Sequence, residues 1–152
     1  MSDLAGAVRV RRAAAADIGA VVDLRLEFER ITRDSGSMDR AARRTELLAL
    51  LGPDLASGRL LCWLAEDGGI AVAQAALRLP SASPRSEAEM LNVYTVPEYR
   101  RLGLASALVA SAIAASREIG LGRITLQPTE DSRRLYERAG FRASGRRMIL
   151  AL

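Results

Sequence analysis

Arg100, Arg101 and Gly103 lie between two apolar segments, and their types and spacing suit the binding of a phosphate. The run from Glu89 to Val96 reads as a strand that stops at Pro97, and an alanine-rich helical pattern opens at Gly103. The first turn of a helix carries backbone N–H groups with no partner inside the helix, at the positive end of its dipole. An anion placed across the turn meets those donors directly. A side chain at position 103 would hold the ligand away from the backbone, which is the reason for a glycine there. The amides of Arg101, Leu102, Gly103, Leu104 and Ala105 are the expected donors. Ser106 adds a hydroxyl, and the two arginines reach outward to further phosphate oxygens.

The motif Arg100-x-x-Gly103-x-Ala105 resembles the (Gln/Arg)-x-x-Gly-x-(Gly/Ala) signature of the GNAT superfamily of acetyl-CoA-dependent N-acetyltransferases. Further along, Leu135-Tyr136-Glu137-Arg138-Ala139-Gly140-Phe141 is similar to the second signature of that superfamily, Leu-Tyr-x-x-x-Gly-Phe. The two motifs come in the family's order, the first between a strand and a helix. The likeness extends over nearly the whole chain and is specific between Glu89 and Phe141.

The resemblance implies acetyl-CoA as donor, with its diphosphate on the turn and its pantetheine arm along the backbone of Val93, Tyr94, Thr95 and Val96, as an added strand would lie. It places a backbone N–H near Val93 against the thioester carbonyl, where a fixed donor stabilises the oxygen as negative charge develops. It gives Tyr136 the task of holding or protonating the leaving thiolate. A phenol near ~10 and a thiol near ~8.5 exchange a proton at little cost. Many relatives carry asparagine and alanine where this chain has Thr129 and Ser132. Both residues here still offer hydroxyls to the pantetheine arm.

The attacking amine must be neutral, and the choice of base is narrow. All 22 basic residues are arginine, and histidine is absent. The base is therefore a carboxylate, a tyrosine or a relayed water, and a histidine metal site is excluded. Glu89 stands where some protein-acetylating relatives place a strand glutamate as base. Simple alternation sets it on one sheet face with Leu91, Val93 and Thr95. Glu87 and Glu27 are alternatives, and Asn92 is a candidate to orient the acceptor from the opposite face. By resemblance the acceptor enters between the Glu29–Asp39 and Pro80–Glu87 loops. Small amines, amino acids and peptide N-termini all remain open.

The elements that must position these groups follow from periodicity and turn residues. Strands are expected at Val8–Arg12, Leu60–Glu66, Ile70–Leu79, Glu89–Val96, Ile124–Gln127 and Arg146–Leu150. Helices are expected at Ala15–Arg30, Arg40–Leu51 (ending at Gly52-Pro53), Gly103–Ile119 and Asp131–Ala139. Asp67-Gly68-Gly69 signals a hairpin. The order β-α-α-β-β-β-α-β-α-β predicts an α/β fold, a GNAT-like mixed sheet with helices on both faces. At 152 residues the chain is expected to form one domain.

Composition narrows the function further. No apolar run reaches a membrane span, and no secretory pattern opens the chain, so it reads as cytoplasmic. Cys62 is a lone thiol in an apolar run, without metal spacing. The net charge is +4, but the arginines alternate with Asp and Glu and aromatics are few, which argues against nucleic acid. The alternative to an enzyme is a catalytically silent acyl-CoA sensor or partner module. A homodimer is compatible with the expected fold.

Overall fold

Every residue from Leu60 to Ala65 is buried, so this strand must be covered on both faces. The computed structural model describes residues 7–32, 39–80 and 87–152. In chain order these form β1 (Val8–Arg12), α1 (Ile18–Thr32), α2 (Arg40–Ser57), β2 (Leu60–Asp67), β3 (Ile70–Arg78), β4 (Glu87–Thr95), α3 (Leu104–Glu118), β5 (Arg123–Leu126), α4 (Arg133–Arg138), β6 (Arg142–Ser144) and β7 (Arg147–Ala151). The strands make one sheet ordered β1-β2-β3-β4-β5-β7-β6. Every neighbouring pair is antiparallel except β4 and β5. No helix among the described residues is long and apolar enough to cross a membrane.

Alternation divides β2 between two cores. Leu61, Trp63 and Ala65 point to one face, where Leu104, Leu108, Val109, Ala112 and Ile113 of α3 cover them together with Tyr136 of α4. Leu60, Cys62 and Leu64 point to the other, against Val21, Val22 and Leu24 of α1 and Leu47, Leu51 and Leu55 of α2. The expected mixed sheet with helices on both faces is what the chain forms. The Gly68-Gly69 turn between β2 and β3 has φ of 57° and 84°, the left-handed pair that a two-residue hairpin needs.

Three boundaries differ from expectation. Helix α2 runs through Pro53 to Ser57 rather than ending at Leu51, and stops at Gly58 in the left-handed conformation. The spacing Leu47, Leu51, Leu55 explains this, because each turn buries a leucine. That burial, about 1.5–3 kcal/mol per side chain, offsets the roughly 3 kcal/mol penalty of an internal proline. A seventh strand, β6, is added before β7; its three residues are all exposed, so no apolar pattern announced it. The helix expected over Asp131–Ala139 opens as a 3₁₀ turn at Glu130–Ser132 before α4 begins. The inner parts of the two loops assigned to acceptor entry, residues 33–38 and 81–86, lie outside the described residues.

Leu55→Ala should therefore lower unfolding free energy by about 2–4 kcal/mol, read from urea denaturation. A near-neutral result would mean that Leu55 sits in a loop beyond the proline.

Candidate functional site

The connection from β4 to α3 builds the anion turn. Pro97 starts a 3₁₀ turn ending at Tyr99, whose hydroxyl donates to the Asp67 carboxylate at the β2–β3 hairpin and fixes the turn against the sheet end. Arg101 (φ 63°) and Gly103 (φ 79°) are both left-handed. A Cβ added at Gly103 would meet no atom within 4 Å, so the glycine answers the backbone angle and leaves the space above it open. The first helical bond of α3 runs from the Ala107 N–H to the Gly103 carbonyl at 3.1 Å. The amides of Gly103, Leu104, Ala105 and Ser106 precede it and have no partner within the helix. Arg101 and Ser106 are exposed, while Leu104 is buried and anchors the helix start. Arg100 departs from expectation. Its Nε donates to the Thr95 carbonyl at 3.0 Å and its guanidinium stacks 5.8 Å from the Tyr94 ring, so it folds back onto the strand end.

The second feature is a gap beside β4. Parallel pairing with β5 spans only Glu87↔Arg123 to Glu89↔Thr125, after which β4 continues alone on that side to Thr95. Its pairing with β3 is also broken midway. Ala76 faces Leu91 and Gln74 faces Tyr94, so Asn92 and Val93 together oppose Ala75 in a β-bulge, with Asn92 at φ 57°. The bulge reverses the alternation. Met90 and Val93 join the core under α3, whereas Leu91 and Tyr94 join the core under α1 and α2. Glu89 therefore does not share a face with Val93, as simple alternation had suggested. The Val96 N–H already bonds the Val72 carbonyl at 2.9 Å and its carbonyl accepts from Tyr99, which removes Val96 from the available donors.

Tyr136 comes from α4 into the α3 core, 6 % exposed, with its ring edge-on to Phe141 at 5.6 Å. Burial pushes its phenol up to about 12. The hydroxyl makes no hydrogen bond among the described residues. Thr129 and Ser132 are tied to each other: the Thr129 N–H donates to Ser132 Oγ at 2.9 Å, and Ser132 Oγ donates to the Thr129 carbonyl at 3.0 Å. Their hydroxyls cap the 3₁₀ turn instead of standing free. A groove of about 350 Å³ runs from Ser106 between α3 and α4, past Ala110, Leu135 and Ala139, with Arg117 and Arg138 on its rim. Neither sequence motif marks this groove.

The candidate bases are all engaged by arginines. Glu89 accepts from Arg147 at 2.9 Å, and Arg147 also reaches Thr125 Oγ1 at 3.0 Å. Glu87 is paired with Arg123 at 2.5 Å, and Glu27 with Arg30 and Arg40 at 3.1 and 3.3 Å. On the α1 face the polar cluster is denser. Glu29, 7 % exposed, accepts from Arg43 at 2.5 and 2.9 Å and from Arg25 at 3.1 Å. Arg25 Nη1 in turn donates to Asn92 Oδ1 at the bulge. Glu29 and Arg43 went unrecognised in the sequence because they read as ordinary helix charges. The detectable signal was Asn92, a residue type that tolerates the left-handed region inside an otherwise apolar strand.

The sequence profile of the acetyltransferase (GNAT) family matches residues 21–141. No curated protein matches the chain. Among solved structures, the chain is similar to a GCN5-related N-acetyltransferase from Ralstonia eutropha JMP134, with 26 % identity, TM-score 0.76, and coverage of 91 % of this chain and 94 % of that one. A predicted acetyltransferase from Clostridium acetobutylicum, solved with acetyl-CoA, shares 24 % identity at TM-score 0.75 over 91 % of this chain and 92 % of that one. A GNAT acetyltransferase from Brucella melitensis in complex with acetyl-CoA shares 19 % identity at TM-score 0.73, covering 95 % and 88 %.

The Glu29 cluster has a pH consequence. The Arg43 hydrogen bonds, and to a lesser degree those of Arg25, outweigh desolvation and hold Glu29 at about 2 against an ordinary 4.5. A carboxyl depressed in the folded state stabilises fully above its unfolded value, and that contribution is lost as pH falls from about 4.5 toward 2. Glu29→Gln should lower stability at pH 7 by about 3 kcal/mol, because two half-buried guanidiniums lose their partner. It should also flatten the fall of Tm between pH 4.5 and 2. An unchanged acid limb in thermal unfolding would contradict this.

Proposed function

The chain belongs to the acetyltransferase (GNAT) family, and on that premise we propose that it transfers an acetyl group from acetyl-CoA to a primary amine by direct attack in a ternary complex. The observation that carries this reading is the open side of β4 followed by the row of amides at Gly103 that have no backbone partner among the described residues. One ligand that is extended at one end and doubly anionic at the other would satisfy both. Acetyl-CoA has that form, and the Clostridium and Brucella proteins of the same fold hold it.

In this reading the diphosphate lies on the amides of Leu102 to Ser106, with Arg101 as its side-chain cation. The backbone of Val93, Tyr94 and Thr95 takes the pantetheine arm. Arg100 holds the strand end through Thr95 rather than the phosphates, and Ser132 supports the 3₁₀ turn rather than the ligand. The groove bordered by Arg138 and Arg117 takes the nucleotide end.

The amine nitrogen attacks the thioester carbon, the C–N bond forms, and the C–S bond breaks with the electron pair on sulfur. An N–H at the bulge, near Val93, supports the carbonyl oxygen while its charge grows. Tyr136 donates a hydrogen bond to the departing sulfur. With its phenol near 12 and a thiol near ~8.5, full proton transfer to sulfur is uphill, so the thiolate is held by the phenol and protonated by solvent. The amine releases its proton to water or to a carboxylate. Glu89 serves as that base only by sharing its charge with Arg147. Cys62 is no nucleophile: desolvation pushes its thiol up to about 12, which favours direct attack over an acyl-enzyme.

Coenzyme binding, thiol release and two variants test the reading. Acetyl-CoA should raise Tm in a concentration-dependent way, and free thiol should appear when amines are added; coenzyme binding with no thiol release from any amine would favour the silent sensor. Tyr136→Phe should lower kcat about 10- to 100-fold with little change in coenzyme Kd, and equal turnover would remove Tyr136 from the reaction. Gly103→Val should abolish coenzyme binding, since a β-branched residue resists a φ of 79°.

A further inference from the structure

Arg25 occupies an unusual position for a helix-surface arginine. It projects from α1 onto the sheet face away from α3 and α4, with its Nε bonded to Glu29 and its Nη1 bonded to Asn92. Its side chain is 23 % exposed, neither sealed nor solvated, and lies 5.9 Å from the Phe28 ring. That ring meets Tyr94 edge-on at 5.8 Å, giving the guanidinium an aromatic floor. Its Nη2 has no partner among the described residues. Glu29 is shared with Arg43, so among the described residues of this group two guanidiniums face one buried carboxylate and the positive charges are in excess. The further carboxylate on Arg43, Glu46, is 54 % exposed and screened by water.

The place of this surplus charge matters. Asn92, which Arg25 grips, directly precedes Val93, where the acetyl carbonyl is read to sit. A guanidinium held from two sides and open on the third is preorganised for a carboxylate. We propose that Arg25 binds the carboxylate of the acceptor and that the acceptor is a free α-amino acid, an inference that rests on the acetyltransferase reading above. In an α-amino acid the carboxylate is attached to the carbon that bears the amine, so an anchor one residue from the bulge delivers the nitrogen to the thioester. Peptide N-termini lack that carboxylate, and polyamines bring further positive charge toward a cationic group.

An independent observation agrees. Glu27, Glu87 and Glu89 are each ion-paired to arginine, and the chain has no histidine or lysine, so no unpaired base is at hand among the sequence candidates. The α-amino group of a free amino acid is more acidic than a lysine-type amine near ~10.4, although its own carboxylate holds it above the ~8 of a peptide N-terminus. It therefore needs less help from a base than a side-chain amine does.

The test is thiol release from acetyl-CoA with a panel of α-amino acids, each beside its carboxamide and its decarboxylated amine. The wild-type protein should favour at least one free amino acid over its amide by about 10- to 100-fold in kcat/KM, the range of one charged hydrogen bond. Arg25→Gln should reduce that preference to a few-fold, with the acetyl-CoA Kd from calorimetry unchanged because Arg25 lies on the opposite face. Arg25→Lys should recover part of it. Should Arg25→Gln misfold, Arg25→Lys gives the readout alone: a single-point cation in place of the planar guanidinium should lower the acid-over-amide ratio in kcat/KM, and an unchanged ratio would count against the proposal. Equal use of acid and amide, or turnover confined to amides, peptides or diamines, overturns the proposal while leaving the acetyltransferase reading intact. Absence of coenzyme binding would instead defeat that reading.

Discussion

Strand β4 bonds β3 on one side along most of its length but keeps β5 for only three residues on the other. A buried backbone with unpaired N–H and C=O groups is costly, so a strand that parts from its neighbour in the middle of a sheet must find water or a ligand in the opening. The parting begins just before Asn92 takes a left-handed φ. An extra residue in β4 bends the strand and strengthens its local twist, which carries it away from β5. The fold thus exposes backbone where a fully regular sheet would hide it. Everything assigned to the site is arranged around that opening.

The same bulge distributes side chains between the two cores. Before it, Met90 packs under α3 and Leu91 under α1; after it, Val93 packs under α3 and Tyr94 under α1. Without the extra residue, Val93 and Tyr94 would exchange faces, and a tyrosine ring would be forced into the tight α3 core beside Leu108 and Val109. Burial therefore specifies the bulge from both sides, since a one-residue slip moves every later side chain to the wrong face. Tyr99, fastened to Asp67, then sets where the chain leaves the sheet, and the left-handed pair Arg101 and Gly103 turns it into α3. The left-handed φ of the buried Asn92 persists because Leu91 and Tyr94 on either side of it are packed into the α1 core.

The sequence made the frame legible for particular reasons. Two glycines at the β2–β3 turn, the alternation in β2 and the glycine before an alanine-rich helix each have one good structural answer. Position 103 was readable because its requirement is local. The extension of α2 past Pro53 was hidden because a local breaker was overridden by Leu55 in the core. The face of Glu89 was misread because alternation assumes a regular strand, and nothing short of tertiary packing tells where a bulge falls. Arg100 was legible as a motif residue, yet its side chain also reaches a backbone dipole, and it takes the Thr95 carbonyl. Long, flexible side chains are decided by their surroundings, and a sequence does not display surroundings.

Asn92 joins the two sides of the site in a single residue. Its backbone lies in the break of the β3–β4 ladder, while its side chain is fixed by Arg25 of α1. Arg25 is fixed by Glu29, and Glu29 by Arg43, so a chain of charged hydrogen bonds runs from α2 through α1 to the bulge of β4. Such a network resists rotation of the bulge in a way that apolar packing alone would not, because each partner has a directional requirement and a penalty for losing it. The hydrogen bonds of Arg43 and Arg25 outweigh the desolvation of Glu29 and keep it ionised in its buried position. What the protein gains is a linked set of charged groups, Arg43, Glu29 and Arg25, that ends on the bulge residue Asn92.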